Sequence, residues 1–266
     1  MTNPLTVGDH VMVDVSEKEE IASIAELLDR SNCIIRKATN LSKQSHVIAA
    51  NIDHAYLVVS LKNPCVPLGF FDRYLVAAES YFIPVTILFN KIDIYDESAQ
   101  SLLDQYQKIY TRIGYHCMEI SAMKDLGVGE MKSLLKDKVN LFSGQSGVGK
   151  TTLINKIQTG LNLKTAGVSA FNEKGKHVTT FAEMHELTDG GYIIDTPGLR
   201  EFGLINFLKE EIPLFFPEMK ALLEHCRFYN CMHIHEPGCA VKEALEKGLI
   251  SASRYNNYLQ MIDSQE

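Results

Sequence analysis

The spacing of apolar residues changes character three times along the chain. Near the start, Val11, Val13 and Val15 alternate with polar residues, the period of a half-buried strand, and 31–36 and 46–50 read as further short strands. From Asn51 the pattern is different. Ala55-Tyr56-Leu57-Val58-Val59 and Val85-Thr86-Ile87-Leu88-Phe89 are apolar-rich runs, as expected of strands covered on both faces. Residues 115–120, 139–142 and 191–194 read as further strands. Between the strands, 70–80, 98–113, 131–135 and 151–157 read as helices, with Leu102, Leu103, Tyr106 and Ile109 or Tyr110 on one face of the second. Alternation of this kind predicts a parallel sheet flanked by helices. Past Gly203 the segment 207–223 reads as a helix interrupted by Pro213 and Pro217. Over 253–262, Tyr255, Tyr258, Leu259 and Ile262 form one packed stripe.

Three chemical signatures fall just after predicted strands, at the edge where open α/β sheets bind ligands. Gly144-Gln145-Ser146-Gly147-Val148-Gly149-Lys150-Thr151 fits G-x-x-x-x-G-K-[ST]. Its glycines let backbone N–H groups point at phosphate oxygens, and the following helix, with Thr151 and Thr152 in its first turn, offers its positive end. Lys150 supplies a point charge near the β and γ phosphates, and the Thr151 hydroxyl is placed to ligate Mg²⁺. Asn90-Lys91-Ile92-Asp93 carries a carboxylate able to accept from guanine N1 and N2, an amide able to reach N7, and a lysine stem to lie over the ring. Ser121-Ala122-Met123, after the next strand, is similar to the loop whose backbone N–H meets guanine O6. Asp195-Thr196-Pro197-Gly198 places a carboxylate for a Mg²⁺-bound water and a Gly198 N–H for the γ phosphate.

The order of these signatures is unusual. The base reader comes first, the phosphate loop second and the γ-phosphate sensor last, whereas an ordinary GTP-binding domain begins with its phosphate loop. The stretch from Leu163 to Phe181 has little apolar periodicity and is expected to be a mobile switch loop. Within it Thr179 or Thr180, with Thr179 preferred, would give a second Mg²⁺ ligand. Leu199 stands where many GTPases carry a water-orienting Gln, so intrinsic hydrolysis is expected to be slow. His177 is the candidate to align water instead; a surface histidine without a catalytic role is the rival reading.

Composition alters this picture little. With 266 residues, 45% hydrophobic and 22% charged, the chain is ordinarily globular. A net charge of −7 disfavours a bulk-basic nucleic-acid binder, leaving the local cluster Lys164, Lys174, Lys176 and His177. No apolar run approaches the ~20 residues needed to span a bilayer, and the first fifteen residues lack a signal-peptide pattern. A cytoplasmic protein without membrane contact is expected. Of six cysteines, Cys33, Cys65 and Cys117 are scattered and read as buried small hydrophobes in a reducing compartment. Cys226, Cys231, His233 and Cys239 form C-x₄-C-x-H-x₅-C, the donor set of one closed, structural zinc site, with His225 and His235 as rival ligands.

Taken together, these residues in this order resemble the circularly permuted ribosome biogenesis GTPases, the ribosome small subunit-dependent GTPase A family. The resemblance also rests on 49–53, 71–76, Asp195 to Gly203 (DTPGLREFG), and 226–241 with Glu236-Pro237. It implies an α/β fold with a partial N-terminal OB-type β-barrel (1–48), a circularly permuted P-loop GTPase domain (49–204) and a C-terminal zinc-binding α-helical domain (205–266). It also implies binding to the small ribosomal subunit and its rRNA, a role in its late maturation, and GTP hydrolysis stimulated by that subunit; GTP/GDP, Mg²⁺ and one structural Zn²⁺ are the cofactors the motifs themselves predict, and a monomer is expected. The alternative is a GTP-switched binding factor with negligible turnover and a non-ribosomal partner. Only the later part of the barrel is expected before Asn51, and Val178 stands where the family usually has Thr.

Overall fold

The computed structural model describes residues 5–15, 22–37, 45–161, 163, 182–195 and 208–264. The sequence-predicted residues His177, Thr179, Thr180, Gly198 and Leu199, and the cluster Lys164, Lys174 and Lys176, lie outside them.

The N-terminal part is built of β1 (Val11–Val15), β2 (Ala22–Leu27), β3 (Cys33–Lys37) and β4 (Ser45–Ala50), which form two antiparallel pairs, β1–β2 and β3–β4. Val7 bridges to Ala49, and Asn51 is held by Gly8 O and Ser31 N, so this part is stitched to the start of the next sheet. The alternation in β1 does mark a strand, but not a half-buried one. Met12, Val13 and Val15 are exposed, the last at 73%, because β1 pairs with β2 and no second layer covers it among the described residues.

The central sheet takes β5 (His54–Val59), β6 (Val85–Phe89), β7 (His116–Glu119), β8 (Val139–Ser143), β9 (Glu183–Glu186) and β10 (Tyr192–Asp195), in the order β7-β6-β5-β8-β10-β9. Five strands run parallel. The exception is β9, antiparallel to β10 at the edge, a strand the sequence pattern does not announce. Strands β5, β6 and β8 sit between neighbours under helices on both faces, and their apolar side chains are almost fully buried. The flanking helices are α1 (Leu68–Ser80), α2 (Glu97–Arg112), α3 (Val128–Leu135) and α4 (Lys150–Ile157). No described helix is long and apolar enough to cross a membrane.

The C-terminal part corrects a second expectation. In place of one interrupted helix over 207–223, the chain makes a 3₁₀ turn (Lys209–Phe215) and the four-residue α5 (Pro217–Lys220). Pro213 lacks the N–H that an α-helix needs, and Pro217 starts a new helix at its first position. Two helices follow, α6 (Ala240–Glu246) and α7 (Ala252–Asp263). Tyr258 and Ile262 of α7 are core, as their stripe predicts, and pack with Ile212, Phe216, Met219 and Val241. Val76 of α1 belongs to this second core, while Phe71, Tyr74 and Leu75 of the same helix belong to the first.

A buried ionic network ties the two cores together. Arg254 of α7 meets Asp72 of α1 at 2.7 Å, and its other edge grips Glu218 of α5 at 2.7 and 2.9 Å. Tyr110 Oη and Asn257 Nδ2 also donate to Asp72, at 2.7 and 2.5 Å, and the guanidinium carbon lies 4.6 Å from the Phe216 ring centre. Burial opposes the Arg254 charge, but the two carboxylates outweigh it and hold the group well above the ordinary arginine value.

Candidate functional site

Parallel strands leave their carboxyl ends on one edge, and the motif residues gather there. Asn90 follows β6, Ser121 lies two residues beyond β7, Gly144 follows β8 and Asp195 closes β10. Asn90 is 1% exposed and joins the segments: its Nδ2 donates to Val148 O at 2.9 Å, and its Oδ1 accepts from Ala122 N at 3.1 Å. One amide thus fastens the base reader to the phosphate loop and to the loop after β7. The second Nδ2 hydrogen is the one chemically suited to guanine N7. Ala122 N, within the Ser121-Ala122-Met123 segment expected to meet guanine O6 through a backbone N–H, donates to Asn90 at ordinary hydrogen-bond length.

Lys91 turns the chain with φ = 67°, and its ammonium donates to Asn63 O at 2.5 Å and Gly147 O at 2.6 Å. Burial lowers its pKa from the ordinary lysine value, and Asp93 partly offsets this. Asp93 sits exposed on a 3₁₀ turn (Ile92–Ile94), and its Oδ1 accepts from Ser121 Oγ at 2.5 Å. One carboxylate oxygen is therefore held by the loop after β7.

The phosphate loop runs from Gly144 through Gln145, Ser146, Gly147 and Val148 to Gly149, and α4 begins at Lys150, one residue earlier than the sequence pattern suggests. Close packing sets its glycines. A Cβ on Gly144 would lie 2.3 Å from Val58 O, and one on Gly149, where φ is 93°, would lie 2.4 Å from Asn90 Nδ2. Thr151 and Thr152 are half-buried in the first turn. The Lys150 ammonium meets Asp195 Oδ1 at 2.5 Å, with both side chains largely shielded. The pair sets a cation and a carboxylate side by side at the edge where the phosphate loop ends. The donor set fits a triphosphate with Mg²⁺.

The cysteine-histidine cluster lies apart from this edge. Ligand atoms of Cys226, Cys231, His233 and Cys239 all lie within 4.8 Å of one another. His233 Nδ1 is 3.3 Å from Cys239 Sγ and 3.7 Å from Cys226 Sγ. Tetrahedral zinc with ordinary Zn–S and Zn–N bonds needs ligand edges of about 3.5–3.8 Å. Burial pushes the Cys231 thiol up to about 12 and also raises Cys239. Such thiols become thiolates when a cation compensates the buried charge. The set therefore fits a closed zinc site. The rivals His225 and His235 are exposed and outside the cluster. Glu236 braces the loop, accepting from the backbone N–H groups of Met232, Ile234 and His235, and Tyr255 and Tyr258 donate to His233 O and Met232 O.

Two features had no counterpart in the sequence reading. The loop after β5, residues 60–66, is tied to the base-reader segment through Asn63 O and Leu61 N, using backbone atoms that leave no residue signature. Tyr95, two residues past Asp93, bonds that loop to Asn90. Cys65, expected to be buried, is exposed because it lies on this loop; Cys33 and Cys117 are partly buried.

Comparison with known proteins agrees with the geometry. The RsgA GTPase family pattern matches residues 27–205. The small ribosomal subunit biogenesis GTPase RsgA of Bacteroides fragilis is 49% identical over 265 residues, covering 100% of this chain and 85% of that protein. Its namesake in Flavobacterium psychrophilum is 46% identical over 269 residues, covering 100% and 82%. Among solved structures, YjeQ from Thermotoga maritima superposes with a TM-score of 0.82 at 33% identity, covering 98% of this chain and 84% of that one. YloQ, described as a circularly permuted GTPase, superposes with 0.77 at 28%, covering 99% and 82%. The chain belongs to the RsgA GTPase family, with a circularly permuted α/β GTPase fold.

Proposed function

We propose that the chain hydrolyses GTP to GDP and phosphate while bound to the small ribosomal subunit, and acts in the assembly of that subunit. The single observation that carries the nucleotide reading is the Asn90 amide, bonded at once to the phosphate loop and to the loop after β7. The ribosomal partner follows from the names of the relatives, each a small ribosomal subunit biogenesis GTPase. Contact with rRNA, a monomeric state and a cytoplasmic location extend the same reading.

In this reading Asp93 accepts from guanine N1 and N2, Asn90 donates to N7, the stem of Lys91 lies over the ring, and the Ser121–Ala122 segment faces O6. Backbone N–H groups from Gly144 to Gly149 and the first turn at Thr151 and Thr152 cradle the phosphates. Lys150 leaves Asp195 for the β and γ oxygens and draws charge from the bond that breaks. Mg²⁺, when bound, shields the phosphate charge; Thr151 and Thr179 would hold it directly and Asp195 through water. Gly198 faces the γ phosphate. His177 aligns the attacking water, a role that Leu199 cannot take, and a partner that fixes the histidine would set the rate. Zinc on Cys226, Cys231, His233 and Cys239 is structural.

The test is GTP turnover by the full chain with and without purified small subunits. Stimulation of tenfold or more is expected. Unchanged turnover with subunits present would overturn the ribosomal reading, and no GTP binding would overturn the nucleotide reading. Equal subunit-stimulated turnover by His177→Ala would remove that residue from the mechanism.

A further inference from the structure

We infer that Tyr95 is a positioning residue for guanine recognition, holding the base reader in register with the loop after β5. The inference rests on the guanine reading of Asn90 and Asp93.

Tyr95 directly follows the 3₁₀ turn that carries Asp93. Its hydroxyl donates to Asn90 O at 2.9 Å and accepts from Leu61 N at 2.9 Å. The first bond closes the turn from 90 to 95 on itself. The second fastens that closed turn to the 60–66 loop. Asn90 also donates from its backbone N to Val59 O at 2.8 Å, and its side chain spans Val148 and Ala122. Its backbone carbonyl is the group that Tyr95 fixes, and that carbonyl sets the peptide plane entering the left-handed Lys91. Rotation of this plane would swing Asp93 away from the base.

Neighbouring contacts reinforce the tie without replacing it. Lys62 pairs with Asp96 at 2.6 Å at the exposed rim, where solvent screens it. Lys91 fastens the same loop to the phosphate loop through Asn63 O and Gly147 O. The 60–66 loop is thus held from the phosphate side by Lys91 and from the base side by Tyr95. Burial raises the Tyr95 pKa above the usual tyrosine value, so the hydroxyl stays a donor across the working pH range. A phenyl ring would fill the same space and lose both bonds, leaving Asn90 O and Leu61 N without them.

This division of labour predicts a selective defect: base recognition suffers while phosphate chemistry does not. The experiment compares the full chain with Tyr95→Phe and Tyr95→Leu. GDP affinity is measured by calorimetry, ADP affinity by competition up to millimolar concentrations, and GTP turnover with small subunits. Expected for Tyr95→Phe are a GDP affinity about tenfold weaker, ADP affinity within about twofold, a raised KM for GTP and a kcat within about twofold. Tyr95→Leu, which also loses the ring, should match Tyr95→Phe in guanine preference if the hydroxyl is what matters. Unchanged GDP binding, equal weakening of GDP and ADP, or a fall in kcat at constant KM would each overturn the assignment. Failure of the underlying reading looks different: the unmodified chain would then bind ADP as tightly as GDP.

Discussion

Replacing Arg254 by methionine keeps much of the side-chain volume and removes the charge that joins the two cores. The guanidinium and the Asp72 carboxylate are each 1% exposed, and Glu218 is 8% exposed. The substitution deletes one bond to Asp72 and two to Glu218. Removing one partner of a buried pair typically costs about 3–5 kcal/mol, because an uncompensated charge stays buried. Tyr110 and Asn257 still donate to Asp72 and soften its share. The lower part of that range is therefore expected, about 3 kcal/mol, which is a drop in melting temperature of roughly 6–12 °C for a chain of this size. Thermal and urea unfolding followed by tyrosine signals can read it, since the chain has 11 Tyr and no Trp. Neutralising the carboxylates as well, in Asp72→Asn/Glu218→Gln/Arg254→Met, should recover more than half of the loss. A single variant within 1 kcal/mol of the parent, or a triple variant no better than the single, would refute the claim that uncompensated charge is what costs stability.

Three further outcomes follow from the geometry. Gly149→Ala places a methyl 2.4 Å from Asn90 Nδ2 at a φ of 93°, so GDP affinity should fall by at least about tenfold while far-ultraviolet dichroism stays unchanged; calorimetry checks both the loss and any residual binding. A strong chelator should release one zinc per chain and free Tyr255 and Tyr258 from their carbonyl partners, and His233→Ala should purify with less than one equivalent; a colorimetric zinc assay with near-ultraviolet dichroism reads both. Burial, with Lys138 and His116 nearby, lowers His54 from 6.5 to about 4 in the folded chain. Its stabilisation is therefore complete above pH 6.5 and is lost as the pH falls toward 4, because the unfolded chain takes up the proton first. His54→Gln should flatten that decline in melts taken between pH 7.5 and 5.

The legible parts of the chain are those where one physical demand dominates. Strands β5 and β6 are covered on both faces, so most of their positions are apolar. The phosphate loop is legible because the Val58 carbonyl at Gly144 and the Asn90 amide at Gly149 leave no room for a side chain. Strands β2 (ASIAEL) and β9 (EMHE) escape a hydrophobic reading because each is exposed or lies at a sheet edge, where polar residues suffice. Arg254 escapes for the opposite reason. A charged residue signals solvent, and here burial is made possible by carboxylates 36 and 182 positions away in sequence. The ties from the 60–66 loop to Tyr95 and Lys91 use its main-chain atoms, which any sequence supplies.

The Asp72–Arg254 contact also has a consequence in time. The two residues are 182 positions apart. At about 5–20 residues per second, the carboxylate on α1 is made roughly 10–35 s before its guanidinium. During synthesis α1 can complete its packing against the sheet, but its other face, with Val76 and Asp72, waits for α7. The nascent chain therefore carries an unfinished apolar and anionic surface until α7 has been made. A chain whose synthesis stops before α7 would keep that surface open, with neither the guanidinium nor the Asn257 amide to meet Asp72.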